Sequence, residues 1–170
     1  MSKAQNLVLG FIVVWISIQV LVPLRHVLYP GNVSWTEEGH RFSWQMKLRD
    51  KDAIAEFTVR DPSNGREWRV DGERYLASHQ AREMETRPDM ILQYAHHLAR
   101  MWEKDRGVAN AEVRVRVCAS LNGRAPQLMI DPQRDLARVE RNLRHADWIL
   151  PLDTPFERPQ PRTGRVDLRC

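Results

Sequence analysis

The chain has few residues of the types that form reactive sites in small enzymes. Two cysteines occur among its 170 residues, Cys118 and the terminal Cys170, and this spacing predicts neither a disulfide framework nor a metal site. None of the eight glycines lies in a phosphate-binding loop, and no serine stands in a nucleophile-elbow motif. We therefore expect Cys118 to be an inert free thiol, and we do not expect an autonomous hydrolase.

Residues 7–24 contain no charged side chain. Lys3 precedes this segment, and every other acidic or basic residue follows it. At ~1.5 Å rise per residue these positions form ~27 Å of helix, close to the ~30 Å hydrocarbon core of a bilayer. No pair of small residues marks a signal cleavage site. Residues 1–26 are therefore predicted to be an uncleaved membrane anchor, which makes the lipid bilayer a partner. More basic residues follow residues 7–24 closely than precede them, which by the positive-inside rule would place the rest of the chain in the cytoplasm. The difference in the number of basic residues is small.

The remaining charges give no evidence for a nucleic-acid partner. The formal net charge is +4 and the sequence pI is about 9.4, but basic residues alternate with acidic ones and form no basic stripe. We therefore exclude nucleic acid from the expected partners.

The pattern that follows the anchor predicts an antiparallel sheet. Residues 41–48 alternate strictly, with Phe42 and Trp44 on the apolar face, which indicates a half-buried strand. Residues 54–60 and 66–70 continue as two strands around a turn at 61–65. These segments predict a three-stranded meander.

The second half of the polar part predicts helices followed by a hairpin. A helical pattern covers residues 78–106, is interrupted at Pro88 and ends at Gly107. Residues 112–121 and 124–130 alternate around Asn122-Gly123, a strong hairpin signal. Residues 133–148 fit either a helix or a coil. The predicted fold class is α+β: one N-terminal transmembrane helix, then an antiparallel sheet packed on a helical segment in the order β-β-β-α-α-β-β. The predicted domains are an anchor over 1–26, an extramembrane domain over 27–152 and a proline-rich tail over 153–170.

Two clusters of polar residues are candidates for a site. His96 and His97 are neighbours on a predicted helix, point about 100° apart and cannot share one metal ion, so we expect no metal site. Residues 35–44 (WTEEGHRFSW) are rich in aromatic and ionisable side chains. They fit either an interfacial tryptophan followed by solvated glutamates, or a rim that places a polar substrate near the membrane.

Three stretches of the sequence resemble vitamin K-dependent gamma-glutamyl carboxylases, and their bacterial members most closely: PLRHVLYPGNVSWTEEGHRFSWQMKLRDK (Pro23–Lys51), RPDMILQYAHHLA (Arg87–Ala99) and SLNGRAPQLMIDP (Ser120–Pro132). The resemblance covers about residues 7–152. It implies the last membrane helix of such an enzyme, followed by its β-rich domain in the ER lumen or the periplasm.

The resemblance also implies an activity and its requirements. Members oxidise vitamin K hydroquinone with O₂ to create a strong base, which deprotonates the γ-carbon of a peptide glutamate so that CO₂ can add. The lysine used for the hydroquinone chemistry lies in membrane helices that precede the matching region, so no residue of this chain inherits a catalytic role. We expect no cofactor bound by this chain alone, and a membrane-helix subunit and a glutamate-containing peptide as partners. The chain would then be a fragment or split subunit; the alternative is a non-catalytic single-pass scaffold or binding domain.

The resemblance places the segment after the membrane exit near the family's glutamate-binding region. His40 or Arg41 would pair with a substrate carboxylate, and the tryptophans would exclude water from a carbanion. Because Glu37, Glu38 and His40 precede the alternating run, we expect their substitution by alanine to leave stability nearly unchanged. The expected substrate-binding residues are Trp35, Thr36, Glu37, Glu38, His40, Arg41 and Trp44.

Overall fold

A computed structural model describes residues 2–43 and 49–156, together with Leu168 and Cys170. Helix α1 (Lys3–Leu24) runs into a 3-10 turn at Arg25–Leu28. Pro23 is the one buried residue of α1, whose apolar side chains otherwise face outward. Lys3–Leu28 is the one segment of the described chain that is long and apolar enough to cross a membrane.

A four-stranded antiparallel sheet forms the centre of the part that follows the apolar helix. The strands are β1 (Lys51–Arg60), β2 (Glu67–Val70), β3 (Glu112–Leu121) and β4 (Gln127–Leu128). Their order in the sheet is β2-β1-β3-β4, and β1 pairs with β3 along its whole length. The β3–β4 turn has positive φ at both Asn122 and Gly123, as expected for a two-residue hairpin turn.

Two helices cover one face of the sheet after a four-residue helix α2 (Val33–Thr36): α3 (Ser78–Glu85) and α4 (Pro88–Arg106). Helix α4 begins with a proline in its first turn and ends at Gly107, whose φ is +67°. Phe57 of β1 meets Tyr94 of α4 edge to face, with ring centroids 4.9 Å apart. The core between sheet and helices consists of residues that alternate on the strands and recur every three or four positions on α4, as the sequence predicts.

The predicted α+β class is confirmed, but the first strand of the predicted meander is wrong where the structure describes it. Residues 41–43 form a turn and a bend, and Phe42 is exposed with a φ of +66°, a conformation incompatible with a strand. Residues 44–48 lie outside the described residues. The long partner of β1 is β3, from the far end of the domain, so β1 and β2 form a hairpin joined to a non-local strand.

Two further expectations are settled by the structure. Cys118 and Cys170 form a disulfide with Cα atoms 5.7 Å apart, so Cys118 is not a free thiol. The prediction failed because the cysteines are 52 residues apart, and only the tertiary structure brings the end of the chain to β3. Residues 133–148 form coil around a 3-10 turn at Leu136–Arg138 rather than a helix.

Candidate functional site

The segment that follows α1 and its 3-10 turn folds back against the end of α1. Gly39 lies so close to the chain leaving α1 that a Cβ added there would be 2.6 Å from the Cα of His26, and its φ is +67°. Arg25 donates from Nε to the carbonyl of Gly39 at 3.5 Å. Because no side chain fits between the two segments, the Glu37–Arg41 loop is held directly against the chain that leaves α1.

Trp35 anchors this segment in the core. Its side chain is fully buried, and its Nε1 donates to the carbonyl of Leu150 at 2.8 Å. The interfacial position considered for Trp35 is therefore wrong: this ring fills the domain interior and does not face lipid. Its burial next to the C-terminal coil fixes where the following loop lies.

Lys51, the first residue of β1, is buried beneath the same loop. Its Nζ donates to the carbonyls of Trp35 at 2.8 Å and Thr86 at 3.0 Å, and to Oε1 of Glu37 at 3.1 Å. These three acceptors match the three N–H groups of an ammonium. Burial, followed by the charges of Arg49 and Arg87, lowers the pKa of Lys51 to about 7. Lys51 therefore ties the loop to the junction of α3 and α4 with a group that titrates near neutral pH.

The two glutamates of the loop are both withdrawn from water, contrary to the expectation of solvated side chains. Glu37 forms ion pairs with Arg49 and Lys51, and its φ is +60°. Glu38 has a side chain that is 8% exposed; it accepts from the backbone N–H of Ala146 at 2.7 Å and lies 3.0 Å from Nδ1 of His145. The sequence signal was misleading because the partners of these carboxylates are remote in sequence.

A cavity of about 420 Å³ lies between this loop, the start of α4 and the C-terminal coil. More than half of its lining residues carry ionisable side chains: seven arginines and two histidines stand against five carboxylates, which include Glu140 and Asp147. The lining includes Arg25, Thr36, Glu37, Glu38, His40, Arg41, Arg87, Asp89, Arg134, Arg138, Arg141, Arg144 and His145. A cavity of this composition suits a small anionic group, since arginine presents paired donors to carboxylates.

Like Arg87, whose Nε is buried without a hydrogen-bond partner among the described residues, His40 is an incompletely satisfied ionisable group of the cavity. Its Nδ1 is buried and has no hydrogen-bond partner among the described residues. Burial lowers the pKa of His40, and the nearby charges of Arg87, Lys51 and His26 lower it further. A buried polar atom without a partner is uncommon, and His40 is one of the residues that line the cavity, so this nitrogen is a candidate contact for a ligand.

Arg41 and Arg87 flank His40 and make exposed ion pairs within the described chain. Arg41 pairs with Asp89 at the start of α4, and Arg87 pairs with Glu83 at 2.8 Å. Exposed pairs of this kind contribute about 0–1 kcal/mol. Either guanidinium can therefore exchange its partner for a ligand carboxylate with little loss of stability.

The structure brings together most of the binding residues expected from the sequence. Those that line the cavity are Thr36, Glu37, Glu38, His40 and Arg41. Trp35 lies behind the cavity in the core and is not among its lining residues. Trp44 lies outside the described residues.

Sequence reasoning missed the cavity residues that come from elsewhere in the chain. Arg87 and the 134–149 coil line the cavity across from the loop, and no local pattern links them to it. For Lys51 a signal did exist: residues 51, 53, 55, 57 and 59 share the inward parity of β1. A lysine at the start of an inward-facing row is unusual and marks a buried charge.

Comparison with known protein families agrees with this arrangement. Residues 4–155 match the family model described as vitamin K-dependent gamma-carboxylase, lumenal domain. No solved structure matches the chain. The match extends from the apolar helix through the loop, both helices, the sheet and the coil that closes the cavity. The chain therefore belongs to the family of vitamin K-dependent gamma-carboxylase lumenal domains.

Proposed function

We propose that this chain is the membrane-anchored, extracytoplasmic domain of a gamma-carboxylase-type enzyme and that its cavity binds the glutamate-bearing peptide. The observation that carries the proposal is the cavity at the membrane exit, in which the unpartnered Nδ1 of His40 lies among arginine side chains. A peptide glutamate supplies the carboxylate that such donors bind.

Two observations support the position of the domain outside the cytoplasm. The family is a lumenal one, and Cys118 and Cys170 are joined in a disulfide. Disulfides persist in the periplasm, the ER lumen and extracellular space, and are rare in the cytosol. The apolar helix α1 would hold the domain at the membrane surface.

In this proposal the binding loop acts on the substrate and the redox chemistry belongs to other membrane helices. Vitamin K hydroquinone is an apolar naphthalene derivative with an isoprenoid tail, and the arginine-rich cavity does not fit it. His40 and Arg41 would orient the γ-carboxylate, and the coil across the cavity would keep bulk water away from the γ-carbon.

Peptide binding by the full chain in detergent tests the proposal. A fluorescent glutamate peptide should bind more tightly than the same peptide with glutamine, because the cavity is selective for the charge. His40→Ala and Arg41→Gln should each weaken binding about tenfold, the loss expected for one hydrogen bond to a charged group. His97→Ala and Arg69→Gln are matched controls on exposed positions away from the cavity.

Equal affinity for the glutamate and glutamine peptides would contradict the proposal and favour the non-catalytic scaffold. A second measurement addresses the chemistry. The chain alone, given vitamin K hydroquinone, bicarbonate and a glutamate peptide, should fix no labelled CO₂. Incorporation would show that this chain contains the catalytic base.

A further inference from the structure

Four large apolar side chains are exposed around the end of the anchor. Val27, Leu28, Phe42 and Leu143 are between 71% and 84% exposed. We call these four residues the interfacial patch. Single exposed apolar residues are common on protein surfaces, but a contiguous group needs an explanation.

The four residues come from three parts of the chain, and contacts tie Phe42 and Leu143 to the neighbours of Val27 and Leu28. The guanidinium of Arg25 lies over the ring of Phe42, 6.0 Å from its centroid. On the other side, the hydroxyl of Tyr29 donates to the carbonyl of Leu143 at 2.6 Å. Phe42 and Leu143 are thus both fixed to the short segment that contains Val27 and Leu28.

The height of the patch relative to a bilayer follows from the anchor. The apolar span ends at Leu28, so in a membrane the boundary between lipid tails and headgroups lies at this level. Since Phe42 and Leu143 are held to residues 25 and 29, they lie at the same boundary.

Unpaired positive charge surrounds the patch. Leu143 lies between Arg141 and Arg144, and all three are exposed. Within the described part of the chain neither arginine takes part in an ion pair. Arginines beside exposed apolar residues are typical of surfaces that bind anionic lipid headgroups while inserting side chains between them.

We infer that the interfacial patch docks the extramembrane domain onto a bilayer surface that contains anionic phospholipid. Leu143 and Phe42 enter the headgroup layer, and Arg141 and Arg144 bind phosphates. The inference rests on the proposed membrane anchoring, and it adds a second attachment that fixes the orientation of the domain. The cavity, which Arg141 and Arg144 also line, then opens at the level of the headgroups.

An environment-sensitive label tests the docking in the full chain. Both native cysteines are in a disulfide, so Leu143→Cys provides a thiol for an NBD label. Glu67→Cys is the matched control. Position 67 lies opposite Arg60 in the β1–β2 pairing. Arg60 is at the other end of β1 from Lys51, which at ~3.3 Å per residue is ~30 Å from Lys51. The chain is reconstituted into vesicles of phosphatidylcholine with or without phosphatidylglycerol.

We expect blue-shifted, brighter emission at position 143 with phosphatidylglycerol, and water-like emission at position 67 in both vesicles. Adding Arg141→Gln with Arg144→Gln should remove most of the blue shift, as should high salt. Water-like emission from the label at position 143 would overturn the inference. So would a blue shift that depends neither on phosphatidylglycerol nor on the two arginines. If the chain does not float with the vesicles, the proposed membrane anchoring is wrong as well. Flotation therefore distinguishes failure of the anchoring from failure of the docking alone. No membrane subunit or peptide is present, so the result is independent of carboxylase function.

Discussion

Lys51 and Glu37 form an ion pair beneath the cavity, with 3.1 Å between Nζ and Oε1 and side chains that are 2% and 10% exposed. The pair joins the first residue of β1 to the loop that follows α1 and α2. Through the carbonyl of Thr86 the same ammonium also reaches the end of α3. The shape of the cavity therefore depends on one buried cation.

Replacing Lys51 by methionine should destabilise the domain strongly. Lys51→Met leaves the carbonyls of Trp35 and Thr86 without their donor and deprives Glu37 of one of its two cations. Breaking a buried pair on one side costs about 3–5 kcal/mol, and we expect the lower end because Arg49 remains. Denaturant unfolding followed by circular dichroism measures the change. Lys104→Met, on the exposed end of α4, should change stability by less than about 0.5 kcal/mol.

The lowered pKa of Lys51 predicts a specific dependence of stability on pH. An unfolded lysine keeps its proton up to its ordinary pKa of 10.5, whereas folded Lys51 releases it above about 7. Between these values the unfolded state binds more protons, so the free energy of unfolding rises with pH. The difference in unfolding free energy between the wild type and Lys51→Met should therefore grow from pH 7 to pH 10. A difference that shrinks over this range would mean that the ion pair with Glu37 outweighs burial.

Glu38 should matter for stability although its sequence context suggests a surface loop. Glu38→Ala removes the acceptor of the Ala146 N–H and the partner of His145, which leaves a backbone donor unsatisfied. We expect a loss of about 1–3 kcal/mol. Glu56→Ala, at an exposed position of β1, is the control and should be nearly neutral. Equal melting temperatures of the two variants would show that the contacts of Glu38 with the 143–149 coil do not stabilise the domain.

The sequence predicts those parts of the fold that depend on local periodicity. The stripe on α4, the inward parity of β1 and β3, and the Asn122-Gly123 turn are all confirmed, because each is a repeat or a turn within one short segment. The predicted strand at 41–48 shows the limit of this method. Its alternation is strict, but Phe42 adopts a positive φ in a turn, because packing of the loop against the end of α1 overrides the local pattern.

The candidate site was predicted in part for a related reason. Resemblance to a known family pointed to the 35–44 segment, and six residues of that segment line the cavity. The opposite wall could not be inferred, because Glu38 meets Ala146 across 108 positions and no periodicity connects such residues. The Cys118–Cys170 disulfide could not be predicted for the same reason, because its two cysteines are distant in sequence.

The Cys118–Cys170 disulfide should contribute to stability through the chain it closes. It links residues 52 positions apart, and a loop of this length corresponds to about 4 kcal/mol of lost entropy in the unfolded chain. Cys118→Ala with Cys170→Ala should therefore lower the melting temperature, and reductant should lower that of the wild type to a similar value. Reductant should leave the double variant unchanged. A wild type insensitive to reductant would show that the bond does not form.

Proton uptake by His40 should couple peptide binding to pH. The free side chain is kept neutral at pH 7 by burial and by nearby cations, whereas a bound γ-carboxylate favours the charged form and raises the pKa of His40. Binding then takes up a proton, so affinity for the glutamate peptide should rise as the pH falls from 7 towards 5, above the titration of the peptide carboxylate. The comparison is with His40→Gln, which keeps a hydrogen-bonding group but cannot gain charge, so any pH dependence that comes from other groups is present in both proteins. The wild type should show a steeper increase in affinity than His40→Gln, measured by anisotropy with the same labelled peptide. Parallel pH profiles would mean that His40 does not touch the carboxylate, and that the arginines of the cavity bind it without help.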